Sequence, residues 1–184
     1  MNPLVNVQDQ TLTGLKAAQA GPEQRQYLTF MLGGEMFSIG ILGIKEIIEY
    51  GGLTEVPMMP ACIRGVINLR GAVVPVMDLS SRFAKPTTPV TKRTCIVIVE
   101  VSHDDQSTQV MGIVVDAVNA VLEIPASEIE PAPAFGAKIR TDFIEGMGKV
   151  NGKFVILLNV NRVLSIEEIG AMAQMSEATP LLAA

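Results

Sequence analysis

The sequence predicts a mainly β protein, built as two small barrels of about five short strands each that share a seam and leave a groove between them. Three observations carry this reading. Short apolar, β-branched runs recur between glycine-containing breaks, which is the pattern of hairpins. One such unit is written twice, 81 positions apart: Gly65 falls on Gly146, Gly71 on Gly152, Val74 on Val155, Asp78 on Asn159 and Phe83 on Leu164. Finally, one copy of ~65 residues buries too little surface to stand alone, so two copies are expected to pack together.

In chain order, residues 1–25 are polar and Gln-rich and are expected to be a mobile tail. Tyr27–Leu32 reads as a strand, Gly33-Gly34 as a hairpin turn, and Met36–Ile39 as its partner. Gly40–Gly43 is a short turn, Ile44–Tyr50 an extended run, Gly51–Pro60 a loop and Pro60–Arg64 one helical turn. Val66–Leu69 and Val73–Met77 then form the hairpin closed by Arg70-Gly71, with Asp78 capping a short helix. Lys85–Lys92, with Pro86 and Pro89, is the best internal boundary, so one subdomain spans about 26–84 and the other about 94–158.

In the second copy Thr94–Val101 is apolar on both faces and is expected to be central. Gln109–Val115 and Asp116–Ile124 follow as extended pieces, and Ala126–Arg140 is irregular. Phe143–Val150 and Lys153–Leu158 form the repeated hairpin. A closing helix begins near 159, Ser165-Ile-Glu-Glu168 fits a capping box for helix to about Met175, and 169–184 is helix end and tail. The repeat aligns Gln26–Met31 with Thr94–Val99 at an offset of 68, and Met36–Glu49 with Val110–Glu123 at 74.

Composition narrows the function. The 184 residues are 48% hydrophobic with a net charge of −5, and no basic cluster exceeds Lys92-Arg93. Nucleic acid and anionic membrane surfaces both need a basic face, and aromatics for stacking on single strands are scarce. A small-barrel nucleic-acid binder is therefore the rival from another class, opposed by charge. No apolar stretch approaches the length of a bilayer span and the first residues lack signal-peptide character, so a soluble cytoplasmic protein is expected. The only cysteines, Cys62 and Cys95, stand far apart and are read as reduced, buried thiols with no metal pattern.

Catalytic chemistry finds little to use. His103 beside Asp104 and Asp105 sits in a polar, hairpin-like segment and reads as a solvated loop tip. Phosphate-cradle, zincin and nucleophile-elbow motifs are absent, so a non-enzymatic protein without metal or cofactor is expected. Arg70 stands out because its counterpart is Asn151, and Asn-Gly is the better hairpin turn. It is a surface arginine, or one paired with a neighbouring strand's carboxylate such as Glu46, or else a contact to a partner. Ile41, Leu42, Ile44, Ile47 and Ile48 crowd one strand end, as an exposed patch or as core between the barrels.

These residues also carry a resemblance. Gly65-Val-Ile-Asn-Leu-Arg-Gly-Ala-Val-Val-Pro-Val-Met-Asp-Leu79, Gly112-Ile-Val-Val-Asp-Ala-Val118 and Ile129-Glu-Pro-Ala-Pro133 resemble the CheW chemotaxis coupling family in order across Gln26–Glu168. The resemblance implies two five-stranded SH3-like barrels with short helices. It implies a non-catalytic adaptor that joins a chemotaxis histidine kinase, through its regulatory domain, to the cytoplasmic tips of transmembrane chemoreceptors, and is recruited to receptor arrays. It makes Arg70 and Glu46 important to coupling, places Ile41, Leu42 and Ile44 on the kinase-binding surface, and places Ile47, Val118 and Val121 around the receptor groove. The same module serving another chemosensory pathway, such as surface motility, fits equally.

Overall fold

The structure, a computed structural model, describes residues 24–132 and 139–165. The expected tail over 1–23 and the helix beyond Ser165 lie outside the described residues. Gln24 and Arg25, assigned to that tail, already belong to the first strand.

Eleven strands form two sheets. They are β1 (Gln24–Leu32), β2 (Glu35–Gly40), β3 (Ile44–Glu49), β4 (Ile63–Leu69), β5 (Ala72–Asp78), β6 (Cys95–Ser102), β7 (Thr108–Val115), β8 (Ala117–Pro125), β9 (Ile129–Glu130), β10 (Ile144–Val150) and β11 (Lys153–Leu158). Short helices α1 (Leu79–Arg82) and α2 (Val160–Val163) follow β5 and β11. Pro60–Ile63 is a hydrogen-bonded turn rather than a helical one, and the segment read as irregular after Pro125 holds a 3-10 turn and β9.

The six-stranded sheet runs β8-β1-β2-β11-β10-β9 and the five-stranded one β3-β6-β7-β5-β4. Each sheet therefore takes strands from both copies, which corrects the contiguous split at 85–92. The first hairpin of copy one (β1–β2) joins the sheet of copy two, and the first hairpin of copy two (β6–β7) joins that of copy one. Parallel ladders complete the exchange at equivalent places: Val76 opposite Gly112 in one sheet, Leu157 opposite Ser38 in the other. The count of six against five arises at the ends. Glu130 of β9 pairs with Met147, and its counterpart Thr54 makes only a single bridge to Val66.

The pairing also corrects the register of the repeat. Phe30 opposes Phe37, and Val99 opposes Met111, so β1 maps onto β6 at an offset of 69 rather than 68. A one-residue slip exchanges the two faces of a strand. Leu28, Phe30 and Leu32 then match Val97, Val99 and Val101, and all six lie in the same core. Sequence could not fix this register because Ile96 to Val99 are at most 1% exposed on either face.

That core is the seam. Its twenty buried residues come from both copies, whereas the separate clusters inside the two sheets hold six and three. Phe30, Phe37, Phe83 and Phe143 run through it with centroid spacings of 6.4, 5.7 and 5.9 Å. The structure thus holds together at the seam more than within either sheet.

A charged hub fixes the β4–β5 hairpin. The Asp78 carboxylate, fully buried, accepts from Arg64 Nε (2.9 Å) and Nη2 (2.7 Å), the Thr88 N–H (2.9 Å) and hydroxyl (3.0 Å), and the Ser80 (3.0 Å) and Ser81 (3.3 Å) N–H groups of α1. Arg64 also donates to the Tyr50 hydroxyl at 3.0 Å and to the Thr88 carbonyl. The proline-rich connector is therefore anchored through Thr88, which is 2% exposed.

Two stability predictions follow from this packing. A Cβ at Gly65 would stand 2.4 Å from the Thr54 carbonyl oxygen, so Gly65→Ala is expected to cost about 1–3 kcal/mol. Denaturant melts check it, and an unchanged midpoint would show that the Thr54 crossing yields freely. Asp78→Ala strands a largely buried Arg64 and is expected to cost about 3–5 kcal/mol in the same assay, with Asp78→Asn costing less.

Candidate functional site

The Arg70-Gly71 and Asn151-Gly152 turns fold alike. Arg70 and Asn151 both have φ 52°, and the following glycines have φ 87° and 77°. Asn68 Oδ1 accepts the Gly71 N–H at 2.8 Å and tightens the first turn. Left-handed backbone suits Asn and Gly, and an arginine there costs about 1 kcal/mol or more. Arg70 Nη2 reaches Glu46 Oε2 at 3.1 Å, with the arginine side chain 79% exposed. An ion pair this exposed returns about 0–1 kcal/mol. Local stability therefore does not explain why arginine occupies the position.

The pair has a definite place in the fold. Glu46 lies on β3 and Arg70 follows β4, the two ends of the five-stranded sheet, so the pair bridges ends that no ladder joins. At the matching places in the second copy stand Asn151 and Ala120, which cannot form an ion pair. The bulges at Lys45 and Asn119 are equivalent too, each beside its edge strand's contact with the seam.

The apolar candidates divide between two surfaces. Ile41 and Leu42 form the 3-10 turn between β2 and β3, and Leu42 is 77% exposed. They line a groove of about 900 Å³ between the two sheets, together with Tyr27, Val99, Leu158 and Val160. Arg25 and Glu145, 3.5 Å apart, stand at this groove. Ile44 is half-buried and packs on the seam core, so it supports the turn instead of lining the groove.

Ile47, Val118 and Val121 lie elsewhere. Ile44 and Ile47 on β3 match Val118 and Val121 on β8 at the offset of 74. Ile47 opposes Val97 and Val121 opposes Leu28, both seam residues, and cross-strand partners share a face. These edge positions thus extend the seam's apolar face into solvent, with Ile47 and Val121 nearly half exposed and Val118 packed inward. The hub of Arg64, Asp78, Tyr50 and Thr88 was missed by sequence reasoning, which treated Asp78 only as a helix cap. Its one sequence signal was that the second copy replaces Arg64 with Glu145 and Asp78 with Asn159.

Groups suited to chemistry are dispersed. Burial pushes both thiols up, with Glu49 adding to the effect at Cys95, so neither favours the reactive thiolate. Cys62 is buried as expected but Cys95 is only half-buried, because it opposes Glu49 at the end of edge strand β3. Among the described residues, no three His, Cys, Asp or Glu side chains gather as metal ligands, and no helix is long and apolar enough to cross a membrane.

A family described as CheW-like domain matches residues 26–168, most of the chain. The chain belongs to the CheW-like family. Among its CheW-like relatives, the chemotaxis protein CheW of Klebsiella aerogenes is 35% identical over 145 residues, covering 79% of this chain and 84% of that one. Protein FrzA of Myxococcus xanthus is 29% identical over 160 residues, covering 86% and 96%. The crystal structure of the scaffolding protein TtCheW from Thermoanaerobacter tengcongensis superposes with a TM-score of 0.70 at 32% identity, covering 79% of this chain and 91% of that one. The chain thus shares its fold with the scaffolding protein TtCheW.

If Arg70 is held for contact rather than stability, Arg70→Asn should leave the thermal midpoint unchanged or raise it slightly. A circular-dichroism melt decides this, and a loss well beyond 1 kcal/mol would make the Glu46 pair structural.

Proposed function

We propose that this CheW-like protein is a non-catalytic adaptor that couples chemoreceptors to a chemotaxis histidine kinase. The observation that carries the proposal is the separation of its apolar candidates onto two surfaces, which lets two partners bind at once. Leu42 and Ile41, at the mouth of the groove between the sheets, meet the regulatory domain of the kinase, and Ile44 braces them from behind. The rows continued by Ile47 and Val121, with Val118 beneath, receive the helical tip of a receptor, whose apolar stripe lies along them. Arg70 and Glu46 tune the coupling at the rim of the first sheet. Signal passes by differential affinity for kinase states, since an adaptor adds binding energy and no chemistry. The protein works in the cytoplasm, held at membrane arrays by its partners and requiring no cofactor.

A second reading keeps the module and changes the pathway. Co-purification of one kinase and one receptor from the native cell distinguishes the pathways.

The adaptor reading is tested with purified kinase and receptor. Leu42→Asp is expected to weaken kinase binding about tenfold or more while receptor binding stays. Val121→Asp should do the reverse. Arg70→Ala should lower kinase stimulation in reconstituted arrays while the protein remains folded. Substitutions that weaken both partners alike, or neither, would defeat the two-surface assignment.

A further inference from the structure

The second hairpin tip does not line the groove; Phe154 stands at the outer end of the row that Ile156 and Leu158 carry into the seam core, and the tip's surface is unlike that of the first. Phe154 is 52% exposed there. Lys149 opposes it directly across the β10–β11 ladder, so the ammonium and the ring share one face. Lys153 precedes the phenylalanine and opposes Val150, so it leaves the tip on the opposite face; both lysines are exposed. Neither forms an ion pair among the described residues.

The first copy serves as an internal control. At the positions of Lys149, Lys153 and Phe154 it carries Asn68, Ala72 and Val73. The β10–β11 fold does not require the two cations or the ring, because the same hairpin forms without them. The Asn151-Gly152 turn also holds the tip in backbone geometry that both residues favour, so little conformational freedom is lost when something docks. In a chain of net charge −5, this is a local inversion of sign around an exposed aromatic ring.

We infer that the β10–β11 tip is a docking surface for an acidic segment of a partner protein that wraps the tip, with an apolar side chain packing on Phe154 beside a carboxylate on Lys149 and a further carboxylate meeting Lys153 on the other face. Charge complementarity selects the acidic partner and the ring supplies the apolar contact. A lipid surface fits less well, because anionic bilayers are held by clusters of about four to eight basic residues. Lys149, Lys153 and Phe154 are not among the residues assigned to kinase or receptor, so the inference does not rest on that assignment.

Fluorescence anisotropy on the full chain tests it, with a labelled decapeptide of alternating glutamate and leucine as probe. Its lysine–leucine counterpart and mixed phosphatidylserine–phosphatidylcholine vesicles serve as comparisons. The expected result is saturable binding of the acidic peptide that weakens as salt rises. Lys149→Glu with Lys153→Glu should weaken it about tenfold or more and transfer preference to the basic peptide, and Phe154→Ser should weaken it several-fold. All variants should melt as the wild type, since the first copy folds without these side chains. Equal binding of both peptides, an unaffected charge-reversed variant, or binding to vesicles and not peptide would overturn the inference.

Discussion

Two short parallel ladders decide the architecture. β5 runs beside β7 and β11 beside β2, and each ladder seats a hairpin from one copy in the sheet of the other. Everything else is arranged around that exchange. The aromatic row from Phe30 to Phe143 draws on both copies, and the twenty-residue core occupies the seam where the exchanged hairpins meet. A unit too small to bury its own apolar surface is completed by its twin.

The repeat conserves geometry and varies chemistry. The Asp78 N–H donates to the Cys62 carbonyl at 2.7 Å, and the Asn159 N–H donates to the Phe143 carbonyl at the same distance. Both capping side chains accept from the helix that follows. Yet one copy places a buried Arg64–Asp78 pair at this junction and the other places Glu145 and Asn159. Likewise one rim carries Arg70 with Glu46, and the other Asn151 with Ala120. A fold built from equal halves thus presents unequal surfaces.

Much of this was legible in the sequence, for local reasons. Turn residues such as Asn151-Gly152 announce left-handed backbone, and the doubled pattern Gly65–Phe83 and Gly146–Leu164 announced two hairpins that do fold alike. The strands of each copy were legible from apolar runs, and the Arg70–Glu46 pairing was among the readings that spacing left open. What failed was non-local. Nothing in an apolar run states which hairpin it will adjoin, so the exchange stayed hidden. Because Ile96 to Val99 are apolar without alternation, the register of β6 could slip by one residue. Thr88 read as connector because its partners, Asp78 and Arg64, converge only in three dimensions. A groove between the halves was expected from the doubled unit, but that Ile41 and Leu42 line it stayed hidden for the same reason.

The anchored connector has one further consequence. A chain between two barrels would ordinarily act as a hinge, but here Thr88 is bolted to Asp78 and every sheet contains strands from either side of it. Twisting one half against the other would have to shear hydrogen-bonded ladders. The two halves are accordingly joined as one body rather than hinged at the connector.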